Sequence, residues 1–570
     1  MANLPDRPSL EHLKGQAKQL LKRVHSQEED ALTLVGPYFG DPARITLQQA
    51  QLVVAREYGF SSWTRLKRHV DAGLGDRQTT EQWANRFLDL VCLHYGPDAT
   101  RGPAEFEKAA AILAEHPEIV SHSPHVAAAC GDQDAIATWL ASQPHKVDDL
   151  GGPFQWTPLM YAAYARLPGA SSFAVGSLLV TAGADPNFHY LWGGTYRFTV
   201  LTGIFGDGEG GKTRLPEHPD MAAFARLVLE AGANPNESQG AYNRCFSPDN
   251  THLDLMLEYG LKDSDPSNWW QAVDGARPDT HRTMHWNLII ALRWGFAERA
   301  RLLIEHGVDI TTPDTNSYPT FTEGFTPYQS ALLRGLPEIA ELIKSKGGDA
   351  SPLPERAQFY AACMSGDLET AQRLKSAHMG HSTGTEAEML REAAGNGRLD
   401  AVRTMIALGF ELSPRGSQTP LHAAAWRGQV AVLEVLLAAG ADAKLRDPEH
   451  HSPPLGHALH AQQKDAIALL MDAEMDIFTA ASVGNLSQIE ARLADDPNWL
   501  DAKFEDVLHP ASAPCDTLWV TPVWRAALNG QWDSVKYLVQ RGADLSVPNP
   551  NGQTLAEYAE ECGQTDLLGT

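Results

Sequence analysis

The sequence predicts an all-α solenoid of stacked helix pairs with hairpin or turn tips, preceded by a small helical domain. Three observations predict it. The chain has 570 residues, which is too many for one hydrophobic core. Its composition, 43% hydrophobic and 21% charged, is that of a folded protein. One pattern of small residues, leucines and glycines recurs along most of the chain, and such recurrence is typical of solenoids.

The clearest copy of the pattern is QTPLHAAAWRGQVAVLEVLLAAGAD, at 418–442. Thr419 is suited to cap a helix that starts at Pro420, where a missing N–H costs nothing. Gly428 and Gly440 supply the left-handed conformation that ends each of two helices. Because a unit this short cannot bury its own leucine stripe, each copy must pack against its neighbours.

Further copies lie at 157–187, 224–236, 288–309, 326–349 and 521–544. Thr419 to Ser452 is 33 residues and Asp442 to Asp476 is 34, which is the ankyrin period. The chain therefore resembles multi-ankyrin-repeat proteins over roughly 120–570. The resemblance implies an ankyrin-repeat solenoid of about ten repeats, several of them degenerate.

Three domains are predicted. Residues 1–74 form a three-helix module, in which REYGFSSWTRLK is similar to a segment that precedes ankyrin arrays in some bacterial proteins. Residues 81–350 form a first array with expanded tips, and residues 354–570 form a second array. Glutamates on the last helix, around Glu557, indicate a terminal capping repeat with a solvated outer face.

One segment matches a catalytic motif. Residues 206–213, GDGEGGKT, fit the phosphate-binding loop GxxxxGK[ST], in which Lys212 and Thr213 would face phosphates and magnesium. That loop must open directly into a helix, whereas Pro216 and Pro219 follow here within a few residues. A glycine-rich connection inside one expanded repeat is therefore the favoured interpretation, and a nucleotide-binding enzyme is kept as an alternative.

The histidines between 450 and 460 offer a second candidate for chemistry. His457 and His460 lie one helical turn apart, as metal ligands can. His457, however, aligns near the repeat position of His422, whose usual role is hydrogen bonding within the stack. Neither a GxSxG nor an HExxH motif occurs. We therefore predict no metal, no cofactor and no enzymatic activity.

Charge and hydropathy narrow the choice of partners. Lys and Arg number 46 against 71 Asp and Glu, a net charge of -25. A field of this sign repels nucleic acid and favours a basic protein partner. No apolar run reaches membrane-spanning length, and the first residues do not form a signal peptide. We therefore predict a cytoplasmic protein without membrane or nucleic-acid partners.

Large aromatic residues on the first helices and on the expanded tips are the candidate partner-binding side chains, because aromatic anchors dominate interface energetics. They are Tyr164, Tyr190, Trp192, Tyr196, Tyr318, Phe321, Trp426 and Trp519. Alternatively, each ring packs against its own loop. The sequence predicts a non-enzymatic scaffold that binds a protein partner through the concave face of the solenoid. Recognition of a small or polymeric ligand is the other alternative.

Overall fold

The structure is a computed structural model. It describes residues 10–36, 38–39, 45–60, 63, 66–67, 70, 79–95, 102–194, 196–208, 211–262, 283–314, 324–378, 383–509, 512, 516–550 and 552–564.

The N-terminal region contains α1 (Leu10–His25), α2 (Glu29–Val35) and α3 (Leu47–Glu57). Thr46 caps α3, because its backbone N–H donates to Gln49 and its hydroxyl accepts the Gln49 backbone N–H. The three helices enclose their own apolar cluster. The sequence did not predict α2, and most of the helix predicted from Ser62 lies outside the described residues.

The first half of the array follows. Its elements are α4 (Thr80–Val91), α5 (Pro103–Glu115), α6 (Pro124–Cys130), α7 (Gln133–Ser142), α8 (Pro158–Tyr164), α9 (Phe173–Thr181), β1 (His189–Trp192), β2 (Tyr196–Thr199), α10 (Val200–Phe205), α11 (Gly211–Arg214), α12 (Met221–Glu230), α13 (Gln239–Arg244), α14 (Thr251–Glu258), α15 (Thr283–Trp294), α16 (Ala297–Glu305), α17 (Pro327–Leu333) and α18 (Pro337–Ser345). The strands β1 and β2 pair as an antiparallel hairpin.

The second half continues in the same alternation of first and second helices. Its elements are α19 (Glu355–Ser365), α20 (Leu368–His378), α21 (Thr383–Gly395), α22 (Leu399–Leu408), α23 (Pro420–Trp426), α24 (Val430–Ala438), α25 (Pro454–His460), α26 (Lys464–Met471), α27 (Ile477–Val483), α28 (Leu486–Asp495), α29 (Pro522–Leu528), α30 (Trp532–Gln540) and α31 (Leu555–Glu561). Short 3-10 helices occur at Pro117–Ile119, Pro144–Lys146, Pro497–Asp501 and Phe504–Val507.

The helix pair α23–α24 shows how sequence and packing agree. The backbone N–H of Thr419 donates to His422 Nδ1 at 3.1 Å, and His422 Nε2 lies 3.0 Å from the carbonyl of Ser452 in the next repeat. Gly428 adopts a φ of 67°, and a Cβ there would lie 2.5 Å from Gln463 of the next repeat. The glycine therefore serves both the helix end and the close approach of the neighbour.

First helices stack on first helices along the array, as α21 does on α23 and α23 on α25. The buried leucines, alanines and aromatic residues of successive pairs merge into two extended apolar clusters. The described fold is thus an all-α ankyrin-type solenoid with one β-hairpin tip.

Buried arginines satisfy the carbonyl groups that first helices leave unpaired at their carboxyl ends. Arg299 donates to the carbonyls of Cys245 (2.9 Å), Ser247 (2.5 Å) and Asp249 (2.7 Å). Burial lowers the pKa of Arg299 to about 10, so the side chain stays charged at neutral pH. The hydrogen bonds to several acceptors offset part of the free-energy cost of removing this cation from water.

The N-terminal helices contact the last repeat. Arg56 Nη2 on α3 lies 3.3 Å from Glu557 Oε1 on α31. A Cβ at Gly552 would lie 2.8 Å from the Leu52 side chain. The predicted solvated face of the capping repeat is therefore covered, at Glu557, by the other end of the chain.

Candidate functional site in the groove

The described residues of the segment 206–213 do not have the setting of a phosphate-binding loop. The residues before it form the helix α10 rather than a strand, and α11, which begins inside the segment at Gly211, is a single turn of four residues. Lys212 is about half exposed and lies 3.8 Å from Glu217. A phosphate site requires a strand that leads through the loop into a helix whose N-terminus faces the anion. The described geometry gives the nucleotide-binding alternative no support.

The same segment is instead anchored by a buried ion cluster. The guanidinium of Arg244, which has no exposed surface, lies 2.6 Å from Asp249, 2.9 Å from Glu217 and 3.5 Å from Asp207. Asp207 has a φ of 57°, a strained value for a residue other than glycine. Burial raises the pKa of Asp207 to about 6. The cluster holds the loop against α13.

Two of the candidate partner-binding aromatics lie in the interior. Tyr164 is 0% exposed, and its hydroxyl donates to the carbonyl of Thr199 at 3.0 Å. The Tyr190 ring stacks on Trp156 with centroids 4.9 Å apart and contacts Phe198 at 5.4 Å. The β-hairpin folds back over α8, so that Tyr164 is fully buried and Tyr190 is partly buried against the same cluster. This corrects the expectation that Tyr164 forms a contact surface, and it leaves only part of Tyr190 exposed.

The remaining tip aromatics differ in their surroundings. Trp192 and Tyr196 face each other at the end of the hairpin, with ring centroids 5.5 Å apart, and both are partly exposed. Trp519 packs edge-on against Trp524 at 5.3 Å. Tyr318 and Phe321 lie outside the described residues.

The histidines of α23 and α25 serve the stack. His457 Nε2 lies 3.0 Å from Asp447 Oδ2, and the ligand atoms of His422, Asp447 and His457 lie within 4.8 Å of one another. Both nitrogens of His422 already have hydrogen-bond partners, Thr419 and Ser452. Burial lowers the pKa of His422 to about 4. These hydrogen bonds account for the triad of His422, Asp447 and His457 as part of the packing between two repeats.

A cavity of about 600 Å³ lies beside this triad, among the first helices of several repeats. We call it the groove pocket. Its key lining residues come from the carboxyl ends of α15, α21 and α23 and from the positions just after them. They are Arg293, Trp294, Glu388, Glu392, Asn396, Trp426 and Arg427. Trp426, one of the predicted partner-binding residues, is 37% exposed at its edge.

One wall of the groove pocket is locked by three side chains. The guanidinium carbon of Arg427 lies 3.6 Å from the centroid of the Trp294 ring, which is a close cation–π stack. Arg427 Nη1 donates to Asn396 Oδ1 at 3.0 Å. Asn396 Nδ2 in turn donates to the carbonyl of Arg293 at 2.9 Å. The wall is therefore rigid before any ligand arrives.

One arginine of the groove pocket, Arg293, has incomplete hydrogen bonding. Among the described residues, its Nε and Nη2 have no hydrogen-bond partner, and both atoms are buried. Burial and the nearby Arg334 lower the pKa of Arg293, whereas the carboxylates of Asp314, Glu392 and Glu388 act to raise it. Glu392 is also bound by Arg334, with Arg334 Nε and Glu392 Oε1 2.8 Å apart and both side chains nearly buried. The surrounding carboxylates therefore offset the positive charge of Arg293.

Contacts of Trp426 beside the pocket bring two distant parts of the array together. Trp426 stacks on His460, with centroids 5.3 Å apart and planes 21° apart. Arg214 Nη2, on α11, lies 3.3 Å from His460 Nδ1. The expanded loop of the first half thus reaches across the groove to α25. Of the predicted site residues that the structure describes, only Trp426 lines this pocket.

The sequence carries a signal for the pocket residues that were not predicted as site residues. Trp294, Asn396 and Arg427 each stand directly before a glycine that ends a first helix. Polar or aromatic residues at that one repeat position mark the edge of the groove.

Three buried or partly buried cysteines have unreactive thiols. Burial raises the pKa of Cys130 and of Cys363 to about 12, and raises that of Cys92 further. A thiol is nucleophilic only as the thiolate, so these three stay protonated in the folded protein. Cys562 is exposed.

Comparison with known proteins identifies the repeats. Residues 359–447 match the family model for ankyrin repeats (3 copies), and residues 520–550 match the model for a single ankyrin repeat. The resemblance inferred from the repeat pattern is confirmed for these residues. In the described part of the chain, no helix is both long enough and apolar enough to cross a lipid bilayer.

Two curated proteins are similar to the chain. It is 23% identical over 276 residues to palmitoyltransferase AKR1 of Lachancea kluyveri, an alignment covering 45% of this chain and 36% of that protein. It is 30% identical over 112 residues to palmitoyltransferase AKR1 of Kluyveromyces lactis, covering 18% of this chain and 15% of that protein. The chain thus spans 36% of the length of the first relative and 15% of the length of the second. Their names are those of enzymes, which overturns the prediction of a non-enzymatic scaffold.

Proposed function

We propose that this chain acts in protein palmitoylation and that its ankyrin array recognises the protein that receives the palmitoyl group. The observation that carries the proposal is the similarity to two palmitoyltransferases, which extends over 45% of the chain in one case. The geometry adds a place for recognition, because the groove pocket joins a rigid wall to a partly exposed tryptophan.

The groove pocket has the size and composition of a recognition site. Its volume of about 600 Å³ lies within the range of ligand pockets, roughly 300–1,000 Å³, and accommodates a few side chains of a protein segment. Tryptophan and arginine are the residue types enriched among interface hot spots. Trp426 at the edge and Arg427 on the Trp294 ring supply both.

The thiols of the folded array fit a role in recognition. A palmitoyl group is accepted by a nucleophile, and the raised pKa values keep Cys92, Cys130 and Cys363 protonated. These three thiols therefore do not accept the palmitoyl group, and in this proposal the accepting group belongs to the bound protein.

The proposal includes the finer architecture. Residues 1–74 act as a three-helix module, and residues 81–350 and 354–570 form two arrays with about ten repeats in all. The separate apolar cluster of α1 to α3 supports the module. The net charge of -25 supports faster association with a partner that is basic overall.

Metabolic labelling tests the proposal. Cells with and without the chain are supplied with an alkyne analogue of palmitate, and the labelled proteins are compared by mass spectrometry. We expect a defined set of proteins to lose label without the chain and to regain it when the full chain is restored. The variant Trp426→Ala should fail to restore that label. Leu150→Ala, which alters a residue 55% exposed and outside the groove pocket, should restore it. Identical labelling with and without the chain would refute the proposal.

A further inference from the structure

We infer that the contact between Arg214 and His460 is a proton-sensitive switch, which holds α11 against α25 at neutral pH and releases it in acid. Arg214 is the last residue of α11 in the first half of the array, and His460 is the last residue of α25 in the second half. The contact lies at the edge of the groove pocket, where Trp426 stacks on His460. It does not depend on which protein the array recognises.

The chemistry of the two side chains fixes the direction of their hydrogen bond. Arg214 Nη2 lies 3.3 Å from His460 Nδ1. A guanidinium has only donors, so Nδ1 must be the acceptor and carries no proton. His460 is therefore neutral in this contact, with its proton on Nε2. An added proton would occupy Nδ1 and leave an imidazolium with two donors and no acceptor. The proton that charges His460 thus also removes the hydrogen bond.

The surroundings of His460 oppose its protonation while the contact is closed. Partial burial and the nearby Arg214, His457 and His450 lower the pKa of His460 below its ordinary 6.5. Among the described residues, these three are the charged or titratable groups that act on it. A protonated His460 would face the cation of Arg214 at hydrogen-bond distance, and like charges repel. The proton therefore favours the open contact, in which Arg214 has moved away from the imidazole.

The stack on Trp426 decides which side chain moves. The ring centroids of Trp426 and His460 lie 5.3 Å apart, with planes inclined by 21°. A cation over the face of an indole is attracted by the negative charge of that face. An imidazolium at position 460 is therefore held by Trp426, whereas Arg214 is repelled. Protonation should leave His460 in place and release α11.

The movement is confined to α11. This helix is a single turn of four residues, and its described positions are exposed or partly exposed. The two halves of the array stay joined by the hydrogen bond from Asn396 to the carbonyl of Arg293 and by the stack of Arg427. Neither contact contains a group that titrates near neutral pH. Acid therefore frees the loop at the groove edge and leaves the array folded.

The pH range of the switch follows from one proton. The pKa of His460 lies below 6.5 in the closed contact and returns towards 6.5 when the contact opens. The closed contact is therefore fully favoured above pH 6.5 and is lost progressively as the pH falls below that value. Because opening takes up a single proton, the ratio of open to closed molecules changes by at most about 10-fold per pH unit.

Distances measured by double electron–electron resonance on the full chain test the switch. Spin labels are attached through a non-natural ketone amino acid at positions 212 and 464, which are both exposed, so the native cysteines stay in place. All proteins carry Asp207→Asn, because the carboxyl group of Asp207 in the same loop has a pKa of about 6 and would titrate in the same range. We expect one short distance at pH 7.5 and a longer population that grows from pH 6.5 to pH 5.

Two substitutions at position 460 should act in opposite directions. His460→Asn offers a side-chain oxygen to Arg214 and takes up no proton, so the short distance should persist to pH 5. His460→Lys is charged throughout this range and has no acceptor, so the longer population should dominate at pH 7.5. Opposite effects at one position cannot both arise from loss of folding. His145→Asn, at an exposed histidine outside the groove pocket, should keep the transition of the parent.

Four outcomes would each overturn the switch. They are a distance distribution that does not change between pH 7.5 and pH 5, a transition of the same size in His460→Asn, a short distance that persists in His460→Lys, and a ratio that changes much more than 10-fold per pH unit, which would require several protons. Unchanged palmitoylation in cells overturns the proposed function alone and leaves these distances standing.

Discussion

The carboxyl group of Asp207 should make the stability of the protein depend on pH, and Asp207→Asn should remove that dependence. Burial raises the pKa of Asp207 from its ordinary 3.8 to about 6, against the attraction of Arg244. The folded protein therefore holds a proton between pH 4 and 6 that the unfolded chain has released. Stability linked to this group is complete below pH 4 and is lost as the pH rises through 6.

The magnitude follows from the two pKa values. Each pKa unit corresponds to about 1.4 kcal/mol, so the charged carboxylate costs up to about 3 kcal/mol above pH 6. Asparagine suits the positive φ of position 207 as well as aspartate does, and it carries no charge. Arg244 keeps two carboxylates, Asp249 and Glu217. An effect of the substitution that does not depend on pH adds the same free energy at every pH, so it does not alter the trend of the stability difference with pH.

Urea unfolding of the full chain and of Asp207→Asn at intervals from pH 4 to pH 7 provides the measurement. Hydrogen exchange of the 206–216 segment, read by mass spectrometry, localises the effect. The variant should gain stability relative to the parent as the pH rises. Glu105→Gln is the matched control, because capping of the backbone N–H of Gly102 lowers the pKa of Glu105. Above pH 4.5, this control should be less stable than the parent protein. A flat difference between Asp207→Asn and the parent over this range would refute the reasoning.

Three further predictions concern the fold. Arg299→Met should lower the free energy of unfolding by about 3–5 kcal/mol in urea titrations, because it leaves several buried carbonyls without a donor; a loss below 1 kcal/mol would contradict the capping role. Gly203→Ala should cost about 1–3 kcal/mol, since its Cβ would lie closer to the Tyr164 ring than packing allows; an unchanged melting temperature would contradict this contact. A double-mutant cycle on Arg56 and Glu557 should give a coupling of about 0.2–1 kcal/mol, as for half-exposed pairs; zero coupling in unfolding titrations would contradict the contact between the chain ends.

The repeats could be predicted from the sequence because their determinants are local. A threonine cap, a proline at the first helical position and a glycine at the helix end act within a few residues of one another. Thr419, Pro420 and Gly428 all occupy the expected positions at the ends of α23. The packing of one unit on the next then follows, because each apolar stripe has only its neighbours to bury it.

The sequence does not predict which of the equivalent repeat positions are buried and which are exposed. Tyr164 and Trp426 hold the same place near the end of a first helix, yet Tyr164 is buried and Trp426 is 37% exposed. The difference comes from the loop that follows each repeat. The hairpin after α9 brings Thr199 and Tyr190 over Tyr164, and its packing depends on side chains far along the chain. A repeat pattern states where a position lies in its unit but not what covers it.

The groove pocket escaped prediction for a related reason. Its bonds join residues of different repeats, such as Asn396 to Arg293 and Arg427 to Trp294. Asn396 and Arg293 lie 103 residues apart in the chain, so no motif within a single repeat encodes their contact. The sequence shows the residue types before each helix-ending glycine, and the structure decides which of them face one cavity.

The ends of the first helices carry positive charge in a chain whose net charge is -25, and the helix geometry explains why. The carboxyl end of a helix carries partial negative charge and unpaired carbonyls, which favour a cation nearby. An array that places the ends of its first helices along one edge gathers cations there, whatever the remaining surface carries. Arginines stand at or just after these ends, at Arg166, Arg244, Arg293, Arg334 and Arg427. Most of them find carbonyl or carboxylate partners, as Arg166 does at Gly203. Carboxylates act on Arg293 as well, those of Asp314, Glu392 and Glu388. The positive charge gathered at the helix ends is therefore offset within the array, and the net charge of -25 sets the long-range field.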